Sequence, residues 1–347
     1  MRIHWIDNAK AISILLVVLG HTKGLDAFAY QYIYSFHMPL FFFLSGYLLG
    51  RYHFENSLAN FIKFQFKKLI VPYLVFWIIS YVYWLPASLI SKQLSYSKHL
   101  NFYDPFIGIL YGTANYLYPN VDLWFFTCLF TTSIFFFIIQ QSFGKYKWLS
   151  FLLILIAGLV FAYIYNEPKI RLPWNIDTSI VALIFFSLGF RLKESDIINK
   201  TFLISYKLNI IGFILLSVIL FFVVKINGNV NMSQMSYDNP LLFLVTSLIG
   251  ISSILFISNT IPQNKCCEWL SKNTIVIFPL HAIFFSIFTG IGVKLFRLPY
   301  NFKEQFYFII LYVLASIVLC IPVSFLFRKY APALIGFKRP LIQGNLL

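Results

Sequence analysis

The sequence has few charged residues: Asp, Glu, Lys and Arg make up only 11% of its 347 residues. Soluble domains average about 25% charged residues, so an ordinary soluble domain is excluded. Hydrophobic residues make up 59% of the chain. They form repeated apolar runs of about 20 residues, which is the length of a transmembrane helix.

Cysteine is also scarce, with four residues in the chain. Cys128 and Cys320 lie within apolar runs, and Cys266 and Cys267 are adjacent. None of these spacings matches a zinc motif or a disulfide framework. The sequence also lacks the glycine-rich GxGxxG and GxxxxGK[ST] phosphate loops. We therefore expect no bound metal, no disulfide scaffold and no permanently bound cofactor.

The apolar runs predict an all-α, polytopic membrane helix bundle of about ten transmembrane helices. We expect one integral-membrane domain over residues 1–347, and a long outer loop at residues 91–120. The predicted helices begin near Ala9, Tyr30, Leu69, Val121, Leu149, Ile176, Leu208, Leu241, Thr274 and Gln305.

The net charge is +15, and its distribution along the chain explains the excess. Lys and Arg concentrate in the connections that lie inside when the N-terminus is cytoplasmic. This positive-inside pattern predicts cytoplasmic termini and a multi-pass protein of the cell (plasma or inner) membrane. The basic excess then reflects topology, and we expect membrane lipid rather than nucleic acid as a partner.

The first predicted helix carries two ionisable residues, Lys10 and His21. They are eleven residues apart, close to three helical turns, so they share one face about 16 Å apart. Ionisable residues inside a membrane helix are costly and indicate function by default. Two structural alternatives stay open: Lys10 as a snorkelling anchor, and His21 as an interfacial residue hydrogen-bonded to a carbonyl or water.

The second predicted helix opens with His37-Met38-Pro39 and continues Phe41-Phe42-Phe43-Leu44-Ser45-Gly46. Proline near a helix start has an ordinary structural use. The small Ser45 and Gly46 allow close approach of a neighbouring helix.

Lys-x10-His in the first helix, followed by HMPLFFFLSG, resembles the integral-membrane acyltransferase-3 family, and in particular its fucose-4-O-acetylase-like branch. The resemblance extends over nearly the whole chain. Its later members are Lys67-Lys68-Leu69-Ile70-Val71-Pro72-Tyr73, Leu123-Trp124-Phe125, Phe185-Phe186-Ser187-Leu188-Gly189 and the stretch from Ser271 to His281. The family usually has Arg at the position of Lys10. Lys keeps the charge but offers a point contact where Arg offers a bidentate one.

The resemblance implies transfer of an acetyl or other short acyl group from acyl-CoA, commonly acetyl-CoA, to a carbohydrate hydroxyl. A base must remove the hydroxyl proton, and histidine suits this role near neutral pH. We expect His21 to be that general base. Lys10, Arg51, Lys67 and Lys68 would bind the phosphates of the acyl donor. For the last three, positive-inside anchoring is the alternative.

Five further residues are candidates for acceptor binding or support. His37 would orient His21 or bind the acceptor, and Ser45 would polarise the thioester carbonyl. Trp124 would form a sugar platform, with Asp122 bonding a sugar hydroxyl, and His281 would serve the same site. Three of these have a structural alternative: plain hydrogen bonding for His37, packing for Ser45, and an interfacial aromatic position for Trp124.

Two other functions compete with acyl transfer. A secondary transporter or flippase for a glycan or its precursor also has about ten helices and buried charge, but the sequence shows no inverted repeat. A non-catalytic membrane sensor is the third class. The Lys-x10-His pattern favours the enzyme.

Overall fold

The computed structural model describes residues 3–90, 103–198 and 205–337, and these residues are almost entirely helical. The helices in chain order are α1 His4–Gly20, α2 Ala27–Tyr34, α3 His37–Leu48, α4 Leu58–Gln65, α5 Val71–Ile90, α6 Asp104–Tyr111, α7 Trp124–Phe143, α8 Lys147–Ile164, α9 Ile176–Ser195, α10 Tyr206–Asn227, α11 Pro240–Thr260, α12 Lys265–Lys294 and α13 Phe306–Tyr330. A π-helical turn, Phe66–Ile70, joins α4 to α5. The two-residue strands β1 Val230–Asn231 and β2 Ser236–Tyr237 pair antiparallel, with Val230 opposite Tyr237.

Within the described ranges, eight helical segments are long and apolar enough to cross a membrane. They are Leu58–Ser88, Val121–Phe143, Lys147–Ile164, Pro173–Ser195, Tyr206–Asn227, Pro240–Thr260, Lys265–Lys294 and Phe306–Tyr330. This confirms the all-α membrane bundle, and the protein is a multi-pass membrane protein. The first predicted span is the 17-residue α1, which is about 25 Å long at 1.5 Å per residue.

The second predicted span, starting near Tyr30, is broken between α2 and α3. Pro39 has no N–H, so it cannot bond the carbonyl of Ser35 four residues earlier. The Ser247 hydroxyl on α11 donates to that carbonyl instead, at 2.8 Å. The helix is therefore interrupted where a hydroxyl from another helix replaces the missing main-chain bond.

The predicted outer loop at residues 91–120 is only partly a loop. Residues 91–102 lie outside the described residues, but α6 occupies Asp104–Tyr111 and ends at Gly112. Gly112 has a φ of 73°, the left-handed conformation that suits glycine at a helix end.

The bundle has inner and outer helices. Helices α7 and α9 bury most of their residues, whereas α8, α10 and α13 leave most of theirs exposed. The exposed residues are apolar, such as Leu152 on α8, Phe222 on α10 and Leu314 on α13. Such faces fit contact with lipid, because the backbone groups of a helix are already satisfied.

Helices α3 and α9 pack with their main chains in contact. A Cβ atom placed on Gly46 would meet the main-chain carbonyl of Phe186, and one on Gly189 would meet that of Phe43. The two glycines therefore permit a spacing that any larger residue would prevent. The Ser45-Gly46 and Ser187-Leu188-Gly189 motifs thus have a packing role.

Helices α1 and α12 run parallel, side by side. Lys10 Nζ donates to the carbonyl of Ser271 at 2.9 Å, and the Ser271 hydroxyl donates to Asp7 Oδ1 at 2.6 Å. Further along both helices, the rings of His21 and His281 lie 4.9 Å apart. Because both contacts follow the same order along the two helices, the helices share direction and register.

A cluster of connections closes the end of the bundle where α7 begins. Arg171 Nε bonds Asp177 Oδ2 at 2.6 Å, and both side chains are buried. The same guanidinium bonds Thr178 Oγ1 at 2.8 Å and the carbonyl of Ser233. This ion pair ties the segment before α9 to the connection between β1 and β2.

Candidate functional site

His21 follows the last residue of α1, and its ring orientation is set by its own helix. The ring Nδ1 lies 2.8 Å from the carbonyl of Val17, one turn earlier. A carbonyl oxygen only accepts, so Nδ1 is the protonated nitrogen of that bond. The other nitrogen, Nε2, lies 3.1 Å from Asp122 Oδ1. The His21 side chain is 29% exposed, so reactants can approach it.

Asp122 lies in a short helical turn, Val121–Leu123, immediately before α7. Its main-chain N–H donates to Asn120 Oδ1 at 3.2 Å. Its carboxylate is buried and lies beside the amino end of α7, where the helix dipole favours negative charge. The structure thus holds one anionic group beside the imidazole of His21.

His281 on α12 approaches the other oxygen of the same carboxylate. Its Nε2 lies 3.5 Å from Asp122 Oδ2, and the ring is fully buried. Its Nδ1 donates to the carbonyl of Phe278 at 2.6 Å. Both histidine rings are therefore anchored through Nδ1 and point Nε2 at one carboxylate. We call His21, Asp122 and His281 the His-Asp-His cluster.

The cluster can receive and stabilise a proton. Asp122 accepts a hydrogen bond from His21 when Nε2 carries a hydrogen, so the carboxylate stabilises the imidazolium. A hydroxyl group that reaches Nε2 can therefore transfer its proton to His21. Because Nε2 faces Asp122 at 3.1 Å, a hydroxyl has to enter beside the carboxylate to reach that nitrogen.

The ring of Tyr34 lies near both His37 and His21. Its Nδ1 bonds the carbonyl of Ile33 at 2.8 Å, and its ring lies 4.7 Å from that of Tyr34. The Tyr34 ring in turn lies 6.3 Å from His21. His37 thus neighbours the His-Asp-His cluster through its contact with Tyr34.

The predicted donor-binding cations occupy different places. Lys10 is half-buried and its Nζ donates to the main-chain carbonyl of Ser271 on α12.

The other three cations lie outside α1. Arg51 Nε bonds Glu194 Oε1 at 2.6 Å, and Arg191 and Lys147 approach the same carboxylate. Lys67 is exposed, and Lys68 Nζ lies over the Phe64 ring at 5.8 Å. Only Lys10 lies on the helix that carries His21.

Two further predicted residues lie in packed surroundings. Ser45 is half-buried on α3. Trp124 is the first residue of α7 and is buried. The Trp124 carbonyl accepts hydrogen bonds from Thr127 Oγ1 at 2.9 Å and from Asn175 Nδ2 at 3.2 Å. Its main chain thus helps to fix the start of α7.

Sequence reasoning missed Asn120, which connects the segments carrying Asp122 and His281. Its amide nitrogen donates to the carbonyl of Pro279 at 2.7 Å and to Ser80 Oγ at 3.0 Å. Its amide oxygen accepts the N–H of Asp122. Asparagine just before a helical turn is a common N-cap, and that pattern was the available signal.

Comparison with known families decides the class of this protein. A family model described as an acyltransferase domain, Acyl_transf_3, matches residues 3–329. The chain belongs to the acyltransferase-3 family. This acyltransferase-3 protein is also similar to nodulation protein NolL of Mesorhizobium japonicum, with 38% identity over 81 residues. That match covers 20% of this chain and 21% of NolL. No solved structure matches the chain.

Proposed function

We propose that the protein is a membrane O-acyltransferase that moves an acetyl or other short acyl group from acyl-CoA to a hydroxyl of a cell-surface or lipid-linked carbohydrate. Family membership supports acyl transfer. The observation that carries the mechanism is the 3.1 Å approach of His21 Nε2 to Asp122 Oδ1. We propose a carbohydrate as the acceptor because the sequence resembles the fucose-4-O-acetylase-like branch of the family.

The proposed step uses His21 as base and then as acid. The acceptor hydroxyl transfers its proton to His21 Nε2 as its oxygen attacks the thioester carbonyl. Asp122 stabilises the imidazolium that forms. The tetrahedral intermediate collapses, the C–S bond breaks, and the CoA thiolate takes the proton from His21. The products are the O-acyl ester and free CoA, and His21 returns to its starting form.

The acyl donor lies along α1 in this proposal. Lys10 precedes His21 by eleven residues on the same helix, about 16 Å away. An extended pantetheine arm then places the nucleotide phosphates at the end of α1 that carries Lys10, and the thioester at His21. Arg51, Lys67 and Lys68 add positive charge for the nucleotide. The donor phosphates meet these cations on the cytoplasmic side, with both termini there and the protein in the cell membrane.

The first test is mass spectrometry of surface glycans from intact host cells. Four strains are compared: wild type, a deletion, a deletion carrying His21→Ala, and a deletion carrying His4→Ala. His4 is an exposed histidine at the opposite end of α1, so it is the matched control. We expect the deletion and His21→Ala to lose one acyl group per modified sugar, with normal glycan length and protein level, and His4→Ala to keep it.

Two outcomes contradict the proposal. Full acylation in the His21→Ala strain would remove His21 from the chemistry. Missing or shortened glycans with unchanged acylation would favour a transporter or flippase for a glycan or its precursor. Release of free CoA from acetyl-CoA by the purified protein, in the presence of acceptor glycan, then checks the donor directly.

A further inference from the structure

The His-Asp-His cluster contains buried polar atoms that lack hydrogen-bond partners. Asp122 Oδ2 and His281 Nε2 are inaccessible to solvent, and neither has such a partner in the part of the chain that the structure describes. Buried polar atoms are almost always satisfied, and an unsatisfied one calls for an explanation such as an ion. A positively charged species between these atoms would satisfy both of them.

The orientation of the two rings is that of metal-binding histidines. In each ring Nδ1 donates to a main-chain carbonyl, Val17 for His21 and Phe278 for His281. This bond fixes the neutral ring with its lone pair on Nε2, the usual arrangement when histidine binds a metal. Both Nε2 atoms face the same carboxylate. Three ligand atoms from three separate segments therefore converge.

The distances fit a small divalent ion. Zn²⁺ bonds nitrogen and oxygen at about 2.0–2.2 Å, so neighbouring ligands in a tetrahedral site lie about 3.4 Å apart. His21 Nε2 lies 3.1 Å from Asp122 Oδ1, and His281 Nε2 lies 3.5 Å from the other oxygen of that carboxylate, Oδ2. The three ligand atoms all lie within 4.8 Å of one another. Binding of the ion would draw the three side chains closer together than this spacing.

The ligand set favours zinc over the hard cations. Two imidazole nitrogens and one carboxylate suit Zn²⁺, whereas Mg²⁺ and Ca²⁺ prefer oxygen ligands. Three protein ligands leave the fourth position of a tetrahedral site open.

We propose that His21, Asp122 and His281 form a binding site for Zn²⁺, and that bound zinc inhibits the protein. The metal occupies His21 Nε2, the lone pair that accepts the hydroxyl proton, so a zinc-bound protein has no free base. The inhibitory consequence rests on the proposed acyl transfer. The binding of the metal does not rest on it.

The binding test uses the full-length protein, purified in detergent with an affinity tag that contains no histidine. The protein is stripped with a chelator and dialysed against Zn²⁺, and bound metal is counted by mass spectrometry. Wild type is compared with His281→Ala, His281→Gln and Asp122→Asn. His53→Ala is the matched control, because His53 is a buried histidine whose ring packs against Phe61 and Phe64.

We expect about one zinc per chain in wild type and His53→Ala, and at least ten-fold weaker binding in the other three variants. Co²⁺ loaded into wild type should give the visible absorption of a tetrahedral nitrogen–oxygen site. Size-exclusion profiles establish that each variant is folded. If His281→Ala is not folded, His281→Gln takes its place in the comparison. Absence of stoichiometric metal in wild type, or equal binding in all variants, overturns the proposal.

An activity measurement separates this inference from the proposed function. Added Zn²⁺ should stop CoA release by wild type, and a chelator should restore it. If zinc binds as described but CoA is released at no metal concentration, the acyl-transfer proposal fails and the metal site stands. If CoA release proceeds equally with saturated and stripped protein, the inhibitory role is overturned.

Discussion

The side-chain amide of Asn120 donates to the main-chain carbonyl of Pro279 at 2.7 Å, two residues before His281. The oxygen of the same amide accepts the N–H of Asp122. One buried side chain thus fixes the turn that carries the carboxylate against the helix that carries the second histidine. This connection predicts that Asn120 is a positioning residue.

Replacing Asn120 by Ala should lower kcat for acyl transfer by about ten- to a hundred-fold, since displacement of a catalytic group by about 1 Å has costs of this size. KM for the acyl donor should change less, because Asn120 contacts the segments that carry Asp122 and His281. Steady-state CoA release at varied acetyl-CoA concentration measures both constants. Asn120→Asp should fall similarly, because an ionised carboxylate cannot donate to the Pro279 carbonyl.

Asn166→Ala is the control for that prediction. Asn166 also donates to a main-chain carbonyl of another segment, Tyr237, at 2.8 Å, but it lies in the connection before α9. The Asn166→Ala variant should keep kcat within about two-fold of wild type, because the lost contact is remote from the reacting groups. Equal losses of kcat in the two variants would show that Asn120 acts only on folding.

Asp122→Asn should reduce kcat by about 10²- to 10⁴-fold, the usual contribution of a positioned acid–base group. The amide keeps the size of the side chain and removes the charge that stabilises the His21 imidazolium. Single-turnover acyl transfer by the purified variant measures the effect. His21→Ala combined with Asp122→Asn should be no slower than His21→Ala alone, because residues that act as one unit are not additive.

Full additivity in that cycle would contradict the pairing of the two residues. Glu268→Gln is the matched control, since Glu268 on α12 pairs with Lys272 on a partly exposed surface. We expect this variant to retain wild-type kcat.

Hydropathy predicted the helices well, because a membrane span must be apolar and must hydrogen-bond its backbone N–H and C=O groups internally. The predicted start at Ile176 is the first residue of α9, and the one at Leu241 is one residue after the start of α11. The predicted start at Val121 is the first residue of the short helical turn that leads into α7. The break between α2 and α3 could not be predicted in the same way. It is accompanied by a hydrogen bond from Ser247, more than 200 residues after Ser35, to the carbonyl that Pro39 leaves free.

The sequence allowed us to name the residues of the candidate site as candidates. It did not allow us to predict how they are arranged in space. Helical periodicity alone placed Lys10 and His21 on one face of α1. Asp122 and His281 stood only as separate supporting candidates, since their meeting depends on the packing of α1, α7 and α12. No local pattern relates residues 100 or more positions apart, and the shared carboxylate appears only in the folded bundle.

Gly46→Ala should destabilise the protein because α3 and α9 pack with their main chains in contact. The added methyl group would meet the carbonyl of Phe186, which cannot move without displacing α9. Overpacking of this kind costs about 1–3 kcal/mol. A lower midpoint of thermal unfolding in detergent, followed by tryptophan fluorescence, would show the effect.

Gly290→Ala is the control for that measurement, because a Cβ at Gly290 meets no atom within 4 Å. Its midpoint should equal or slightly exceed that of wild type, since alanine favours a helix over glycine. A Gly46→Ala midpoint equal to that of Gly290→Ala would mean that α3 and α9 are further apart than the structure places them.

Arg171→Met should destabilise the fold more than any exposed charge replacement. It removes the guanidinium that bonds Asp177 and Thr178 and leaves the Asp177 carboxylate buried without a cation. Breaking a buried ion pair costs about 3–5 kcal/mol. Thermal unfolding of the purified variant measures the loss. The partly exposed pair Lys272–Glu268 supplies the comparison, and Lys272→Met should cost at most about 1 kcal/mol.

Equal unfolding midpoints for Arg171→Met and Lys272→Met would show that the buried pair does not hold the end of the bundle together. The double variant Arg171→Met plus Asp177→Asn should recover part of the lost stability, because no unpaired charge is then buried at this site.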